Sequence, residues 1–182
     1  KFMATVSDAD IVSALKENLE SGFRLLMARY REPVYWHIRR LVVSHDDAQD
    51  AAQETFIRAF RSLGRFKGEC SLGAWIYRIA TNEALRAIER RRGGRVSLDD
   101  ADAGASRLAA DGYVDYSDLE AVKLQNAILS LPTKQQLAFN LRYYDGLEYD
   151  EIAAVTGSTA ASAKANYHVA KEKIIKYMNS TI

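Results

Sequence analysis

The sequence is poor in cysteine, proline and long apolar runs, and each shortage argues against a class of protein. Its single cysteine, Cys70, cannot form an internal disulfide, which suits a reducing cytoplasm. No apolar run approaches the roughly 20 residues that cross a bilayer, so we expect a cytoplasmic chain without direct membrane insertion. Two prolines and ten glycines, among long stretches of Ala, Leu, Arg and Glu, predict an all-helical protein.

Catalytic equipment is scarce as well. We find no glycine-rich phosphate loop, no nucleophile–base pair and no cysteine–histidine metal pattern. An HD dipeptide, His45-Asp46, makes a metal-dependent phosphohydrolase conceivable, since Asp50 and Glu54 follow on the same stretch. A helix cap at Ser44 accounts for the dipeptide without a metal. We therefore expect no enzymatic activity, no catalytic residue, no metal and no cofactor.

Charge is segregated along the chain, although the total is only +1. Lys and Arg exceed Asp and Glu by 7 in residues 21–95, fall short by 6 in residues 96–121, and exceed them by 2 from residue 122 onward. A single charge run is usually a solvated face. A basic domain, an acidic segment and a mildly basic domain in succession instead indicate nucleic acid bound at two places.

The first domain is predicted to span residues 1–92. Ser7, followed by Asp10, predicts a capped first helix that continues through Phe23 and Leu26. Pro33 is expected in the first turn of the next helix, where its missing N–H costs nothing. Two further serines are predicted helix caps. Ser44 precedes a helix whose apolar stripe includes Phe56 and Phe60, and Ser71 precedes a long helix that continues through Arg92.

The second domain is predicted to span residues 118–182, after a flexible acidic linker over residues 93–117. That linker is rich in Asp, Ala, Gly and Ser and has too few large apolar residues to build a core. Ser117 is expected to cap the first of four helices. The domain ends with a short amphipathic helix, a turn at Gly157 and a longer helix with exposed lysines, which is the pattern of a helix-turn-helix.

The helix after Ser71 has the residue types that single-stranded DNA capture requires. Trp75 offers a ring on which bases stack, and Arg78 and Arg86 lie at helical spacing along the same segment. The alternative is that Trp75 and Tyr77 are core residues and that the arginines form a solvated face.

Several motifs, in order along the chain, resemble those of extracytoplasmic-function sigma factors. The matching segments are residues 47–61, similar to a polymerase-binding helix; residues 66–82, similar to a promoter-melting segment; and residues 131–132, 146–153 and 164–168, similar to a domain that reads the upstream promoter element. The resemblance covers roughly residues 20–92 and 118–178. It implies a protein that binds core RNA polymerase and directs promoter recognition, melting and transcription initiation.

The resemblance also implies a role for individual residues. Contact with the clamp of the polymerase's largest subunit would come from Asp50, Gln53, Glu54 and Phe56. Capture of the single-stranded −10 element would come from Phe66, Lys67, Trp75, Arg78, Asn82 and Arg86. There a base is extruded into a protein pocket, and capture of the strand offsets the free-energy cost of melting, so that no ATP hydrolysis is needed. Phosphates would be held by Arg90, Arg91, Arg92, Lys171 and Lys173. The duplex −35 element would be read by Lys164, Ala165 and His168. An anti-sigma factor is a further implied partner.

Two alternatives remain open at this stage. A stand-alone helix-turn-helix regulator with a helical N-terminal domain would share the last domain, but would bind duplex DNA alone, usually as a dimer. The acidic linker also has two interpretations. Its aspartates either mimic nucleic acid in a polymerase channel or keep a tether extended, and they are Asp99, Asp100, Asp102, Asp111 and Asp115.

Overall fold

The computed structural model describes residues 5–93 and 118–180, and all its regular elements in those ranges are helices. Four precede the gap: α1 (Asp8–Glu17), α2 (Leu19–Val42), α3 (His45–Leu63) and α4 (Leu72–Arg92). Four follow it: α5 (Leu119–Leu129), α6 (Thr133–Tyr143), α7 (Tyr149–Thr156) and α8 (Ala160–Asn179). The all-α prediction is confirmed. Apart from Gly93, the predicted acidic linker with its five aspartates lies outside the described residues.

Short polar side chains begin the helices largely where the sequence predicts. Ser7 and Asp10 form a reciprocal capping box at α1. Ser44 and Ser71 each accept a hydrogen bond from a backbone N–H in the first turn of α3 and α4. The prediction for α5 is wrong, because its N-cap is Asp118 rather than Ser117. The Asp118 carboxylate accepts from two N–H groups at 3.1 Å, and its charge complements the helix dipole.

The helix boundaries around Pro33 also differ from the prediction. The chain breaks at Asn18, whose side chain accepts from the Ser21 N–H and so starts a new helix. That helix, α2, then runs through Pro33 in its interior instead of beginning there. The proline leaves one carbonyl without its helical donor. Burial of an apolar stripe that includes Leu26 before the proline and Val34 after it outweighs this loss, and keeps the helix continuous.

The core is shared between the two halves of the chain. Helices α1 to α4 enclose a cluster that contains Leu26, Ile38 and Ile76, and the same cluster extends into α6 and α7 through Leu137 and Ile152. A smaller cluster lies among α5, α6 and α8. Helix α7 therefore packs both on α8 and on α4, which brings the helix-turn-helix against the N-terminal helices.

A tight turn joins α2 to α3. Val43 has φ +67°, and the Ser44 N–H donates to the Val42 carbonyl at 2.8 Å, which makes a γ-turn of the rare, strained kind. Only Val43 and Ser44 separate the two helices, so that α3 folds back along α2. The faces of the two helices that lie away from α4 then form a groove.

Candidate functional site

A broad groove of about 1650 Å³ lies between α2 and α3. Its lining is rich in large apolar side chains, which include Phe23, Met27, Tyr35 and Trp36 from α2 and Phe56, Ile57 and Phe60 from α3. Ile57 and Phe60 are each 45% exposed and Trp36 is 39% exposed. An exposed apolar surface of this extent, rimmed by charged residues, is typical of a protein-docking site.

The four predicted polymerase contacts divide between two faces of α3. Gln53 and Phe56 line the groove, although Phe56 is buried enough to serve the core as well. Asp50 and Glu54 are not among the lining residues, and Glu54 is paired with Arg58 at 3.1 Å. The structure therefore brings together two of the four predicted residues.

The groove also contains residues that the sequence analysis did not select. Phe60 was expected on the buried face of α3, but it is exposed and packs edge-on against Phe23 with ring centroids 5.0 Å apart. Tyr35 and Trp36 complete the opposite wall. The sequence does contain a signal for these two aromatic residues. They are adjacent and lie outside the Val34–Ile38–Leu41 apolar stripe of α2, which indicates an apolar surface away from the core.

The predicted strand-capture residues form an exposed strip along α4 and the loop before it. Phe66 and Trp75 are half-buried against each other, with ring centroids 5.5 Å apart. The polar members of the set are all exposed, and they are Lys67, Arg78, Asn82 and Arg86. Trp75 is thus partly accessible, whereas Tyr77 is only 5% exposed and belongs to the core, as the alternative interpretation held.

Glu83 is a buried carboxylate next to this strip that the sequence analysis missed. It is 3% exposed, its Oε1 lies 2.7 Å from Arg58 Nε, and it also pairs with Arg86. Two cations offset the cost of burying one carboxylate. Glu83 therefore holds the guanidinium of Arg86 in place, and nothing in the sequence distinguishes it from Glu89 on the same helix.

The predicted phosphate contacts are not equally free. Arg90 and Lys171 are exposed, and Arg92 is half-buried. Arg91 is paired with Asp47, with Nε 2.8 Å from Oδ2, and Lys173 donates to Gln135 at 3.0 Å. Each of these two side chains is already held by a protein partner, and keeps further N–H donors for a phosphate.

The helix-turn-helix is present, with all three predicted −35 readers on its outer side. Gly157 ends α7 in the left-handed conformation, φ +65°, which lets the chain turn directly into α8. Lys164, Ala165 and His168 are exposed, while Ala170 on the other side of α8 is fully buried.

The His45-Asp46 dipeptide, which raised the question of an enzyme, has a structural explanation. His45 Nδ1 lies 2.6 Å from the Tyr35 hydroxyl, and Ser44 caps α3. Residues 5–93 and 118–180 contain no group of three or more side chains placed to hold a metal ion. Burial raises the pKa of the Cys70 thiol, which reduces the fraction of reactive thiolate. Within the same ranges, no helix is long and apolar enough to cross a bilayer.

A polar cluster between the two halves of the chain was not predicted. The Tyr77 hydroxyl donates to Asp145 Oδ1 at 2.9 Å. Two side chains of α2 face the same carboxylate, with His37 Nδ1 3.7 Å and Arg40 Nη1 3.8 Å away. Burial raises the pKa of Asp145 to about 6 and lowers the pKa of His37 to about 3. A second hydrogen bond joins α4 to α7, since the hydroxyl of Ser71, the N-cap of α4, donates to Glu151 of α7 at 2.8 Å.

Comparisons with known proteins agree with this architecture. The family model of sigma-70 region 2 matches residues 26–93, and that of sigma-70 region 4 matches residues 121–174. The chain is 32% identical to the ECF RNA polymerase sigma-E factor of Escherichia coli, over 93% of each chain. It is 29% identical to the RNA polymerase sigma-H factor of Pseudomonas aeruginosa, over 93% of this chain and 92% of that protein.

Two solved structures share the fold. CnrH, solved in complex with the cytosolic domain of CnrY, has a TM-score of 0.69 and 21% identity over 94% of this chain and 96% of its own. The sigma factor RpoE of Bartonella quintana, solved with the anti-sigma factor NepR, has a TM-score of 0.70 and 22% identity over 88% of this chain and 98% of its own.

Proposed function

The chain belongs to the extracytoplasmic-function sigma factors of RNA polymerase, and from this premise we propose how its surfaces divide the work of transcription initiation. The match to sigma-70 region 2 covers the N-terminal helices, whose role the alternative of a stand-alone regulator did not explain.

The groove between α2 and α3 is the docking site for core RNA polymerase. The observation that carries this assignment is the cluster of exposed apolar side chains, Trp36, Ile57 and Phe60, around the predicted contacts Gln53 and Phe56. Apolar anchors that fill a partner's surface supply most of the energy of such an interface, and surrounding polar residues set its specificity. Asp50 and Glu54, on the neighbouring face of α3, contact the edge of the polymerase clamp.

The remaining surfaces bind the promoter. The strip from Phe66 to Arg86 takes the single-stranded −10 element, with Trp75 as a stacking ring and Asn82 as the hydrogen-bonding partner of an extruded base. Lys164, Ala165 and His168 on α8 face the duplex −35 element, and the flanking cations hold phosphates. Capture of the strand offsets the cost of melting, so the chain acts without enzymatic activity of its own.

An anti-sigma factor is a further proposed partner. The similar chains CnrH and RpoE of Bartonella quintana were solved in complex with the cytosolic domain of CnrY and with the anti-sigma factor NepR. An apolar groove that core polymerase needs is also the surface that an inhibitor gains most by covering, because occupying it excludes the polymerase.

Core binding is tested with a charge placed in the groove. Ile57→Glu puts a carboxylate at a position that is 45% exposed, where it leaves the fold intact but loses its hydration on docking. We expect it to weaken co-elution with bacterial core polymerase on gel filtration by at least tenfold in apparent affinity, a loss of about 1.4 kcal/mol. Phe56→Ala is unsuitable, because a cavity at this buried ring would destabilise the domain itself.

Ile175→Glu is the matched control. The same substitution is made at a side chain of α8 that is 50% exposed, and no residue of α8 lines the groove. It should leave co-elution unchanged. Equal losses in the two variants, or none in Ile57→Glu, would contradict the docking site. A chain that ignores core polymerase and instead dimerises on duplex DNA would return the assignment to the stand-alone regulator.

A further inference from the structure

Four charged side chains meet where α3 packs on α4. At their centre is Glu83 of α4, which is 3% exposed and faces two arginines whose side chains are 47% and 52% exposed. Arg58 of α3 has its Nε 2.7 Å from Glu83 Oε1, and Arg86 of α4 donates from Nη1 to the same oxygen. Arg58 Nε also lies 3.1 Å from Oε1 of Glu54, one turn earlier on α3. The charges therefore alternate from the proposed polymerase contact Glu54 to the proposed strand-capture residue Arg86.

Arg58 is shared unequally between its two carboxylates. Its Nε carries a single hydrogen, which aligns well with only one acceptor, and the shorter distance is the one to Glu83. Glu83 is also withdrawn from water, and an opposite charge is attracted more strongly there than at the surface. Glu54 is 40% exposed, so its pair with Arg58 is of the surface kind that contributes little. Glu83 therefore draws Arg58 away from Glu54.

The attraction between Glu83 and Arg58 determines how much negative charge Glu54 presents to a partner. A carboxylate that is fully paired on its own helix has to give up its cation before it can pair with another protein. A carboxylate whose neighbouring cation is held elsewhere can pair with a basic partner directly. Asp50, one turn before Glu54, is exposed as well. The two carboxylates thus form an acidic edge on α3 next to the docking groove.

We propose that Glu83 is a positioning residue for the docking of core polymerase, although it is buried and is not among the residues that line the groove. It acts through Arg58, which it holds away from Glu54, and so leaves the Glu54 carboxylate available to a basic side chain of the polymerase. The proposal rests on the polymerase contact assigned to Glu54 above. It gives a function to a buried charge that the two half-exposed arginines do not need, since both would remain hydrated without it.

The test measures the affinity of full-length chain, labelled with fluorescein at its N-terminus, for bacterial core polymerase. Fluorescence anisotropy is recorded at about 50 mM salt, where exposed charges are weakly screened. Glu83→Gln keeps the size and the acceptor oxygen of the side chain but removes its charge, so that Arg58 is free to pair with Glu54. We expect the affinity to fall about threefold, as for the loss of an exposed ion pair. Glu89→Gln makes the same substitution at a half-buried carboxylate of α4 outside this group of charges, and should leave the affinity unchanged.

A second substitution separates positioning from a merely structural role. Adding Arg58→Gln to Glu83→Gln removes the cation that would otherwise cover Glu54. The double variant should therefore bind core polymerase at least as tightly as the wild type. A chain that bound weakly because α3 and α4 had lost their packing would not recover when a further charge between these helices is removed.

Glu54→Gln tests the contact on which the proposal rests. It should weaken core binding by itself, and adding Glu83→Gln should cause no further loss, because both substitutions act on the same contact. If Glu54→Gln weakens binding but Glu83→Gln does not, or if Arg58→Gln fails to restore it, Glu83 has no positioning role and the contact through Glu54 stands. If Glu54→Gln leaves binding unchanged, the contact is wrong and the positioning role fails with it, whereas Ile57→Glu tests the groove separately.

Discussion

Asp145 shows how much of the chemistry of this protein depends on side chains that meet from distant parts of the chain. It lies between α6 and α7, and its carboxylate faces His37 and Arg40 from α2 and Tyr77 from α4. Burial raises its pKa to about 6, whereas hydrogen bonding from Tyr77 and the charge of Arg40 act in the opposite direction. The protonated form of Asp145 is therefore favoured by the folded protein.

The pKa of Asp145 leads to a pH-dependent stability. Because its folded pKa is raised from 3.8 to about 6, its contribution is most favourable below pH 3.8 and is lost as the pH rises through 6. The free energy of unfolding of Asp145→Asn, minus that of the wild type, should therefore increase by about 2 kcal/mol between pH 4.5 and pH 7.5. Urea unfolding at the two pH values measures it.

The difference between variant and wild type isolates Asp145 from His37, whose pKa is shifted the other way. His37 stabilises the folded state above pH 6.5 and loses that contribution as the pH falls toward 3. Asp150→Asn, which removes an exposed carboxylate from the same region, is the control. If Asp145→Asn and the wild type show the same pH dependence, the carboxylate does not titrate in this way.

At the level of the helices, the close approach of α1 to α2 depends on Gly22. A Cβ atom at this position would lie 2.4 Å from Leu15 Cδ2 and 2.9 Å from the Leu15 backbone nitrogen. A side-chain rotation alone cannot relieve the contact with the backbone, so α1 would have to move away. Helix α1 in turn covers α2 through the pair Arg29–Asp8, 3.0 Å, and the hydrogen bond from Tyr30 to Asp8, 2.6 Å.

Gly22→Ala should therefore lower the free energy of unfolding by about 1–3 kcal/mol, in spite of the better helix propensity of alanine. Gly64→Ala is the matched control, because nothing lies within 4 Å of its added methyl group and its φ is −65°. That control should be neutral or stabilising by about 0.4–1 kcal/mol. Chemical denaturation measures both variants, and equal stabilities would contradict the close-packing argument.

Considered as a whole, the molecule joins its two halves through one continuous core, as Leu137 and Ile152 pack into the cluster of α1 to α4. Such shared burial should couple the unfolding of the two halves. The chain offers a way to observe this, since its two tryptophans, Trp36 and Trp75, lie in α2 and α4. Tryptophan fluorescence thus reports on the N-terminal half, whereas far-ultraviolet circular dichroism reports on all helices.

The two signals should follow one coincident transition in the wild type and in the control Asp150→Arg, which reverses a charge at an exposed position of α7. In Asp145→Arg, we expect them to separate, because losing the hydrogen bond from Tyr77 and placing a second cation beside Arg40 weakens the contact between the halves. Thermal or urea denaturation monitored by both probes checks this. Coincident transitions in Asp145→Arg as well would mean that the apolar contacts hold the halves together without the polar cluster.

Local patterns in the chain were sufficient to predict most of the helices, three of their N-caps and the helix-turn-helix. Ser7, Ser44 and Ser71 cap helices because a hydroxyl can accept from N–H groups two or three residues away, an interaction that needs no distant partner. Helical spacing likewise placed Lys164 and His168 on the exposed side of α8. Pro33 was misplaced because the burial that keeps α2 continuous involves side chains from α3 and α4.

The surfaces that bring residues together across the fold could not be obtained from such patterns. Gln53 and Phe56 became part of a groove only because Trp36 of α2 forms the facing wall. Tyr77 and Asp145 are 68 positions apart, and their hydrogen bond exists only because α7 packs on α4. Residue types and their spacing thus determined the helices, the two-domain plan and the family to which the chain belongs, since these depend on interactions within a few turns. The shape of the docking groove, the buried charges and the packing of α7 on α4 were decided by the tertiary structure, since each depends on which helix faces become neighbours.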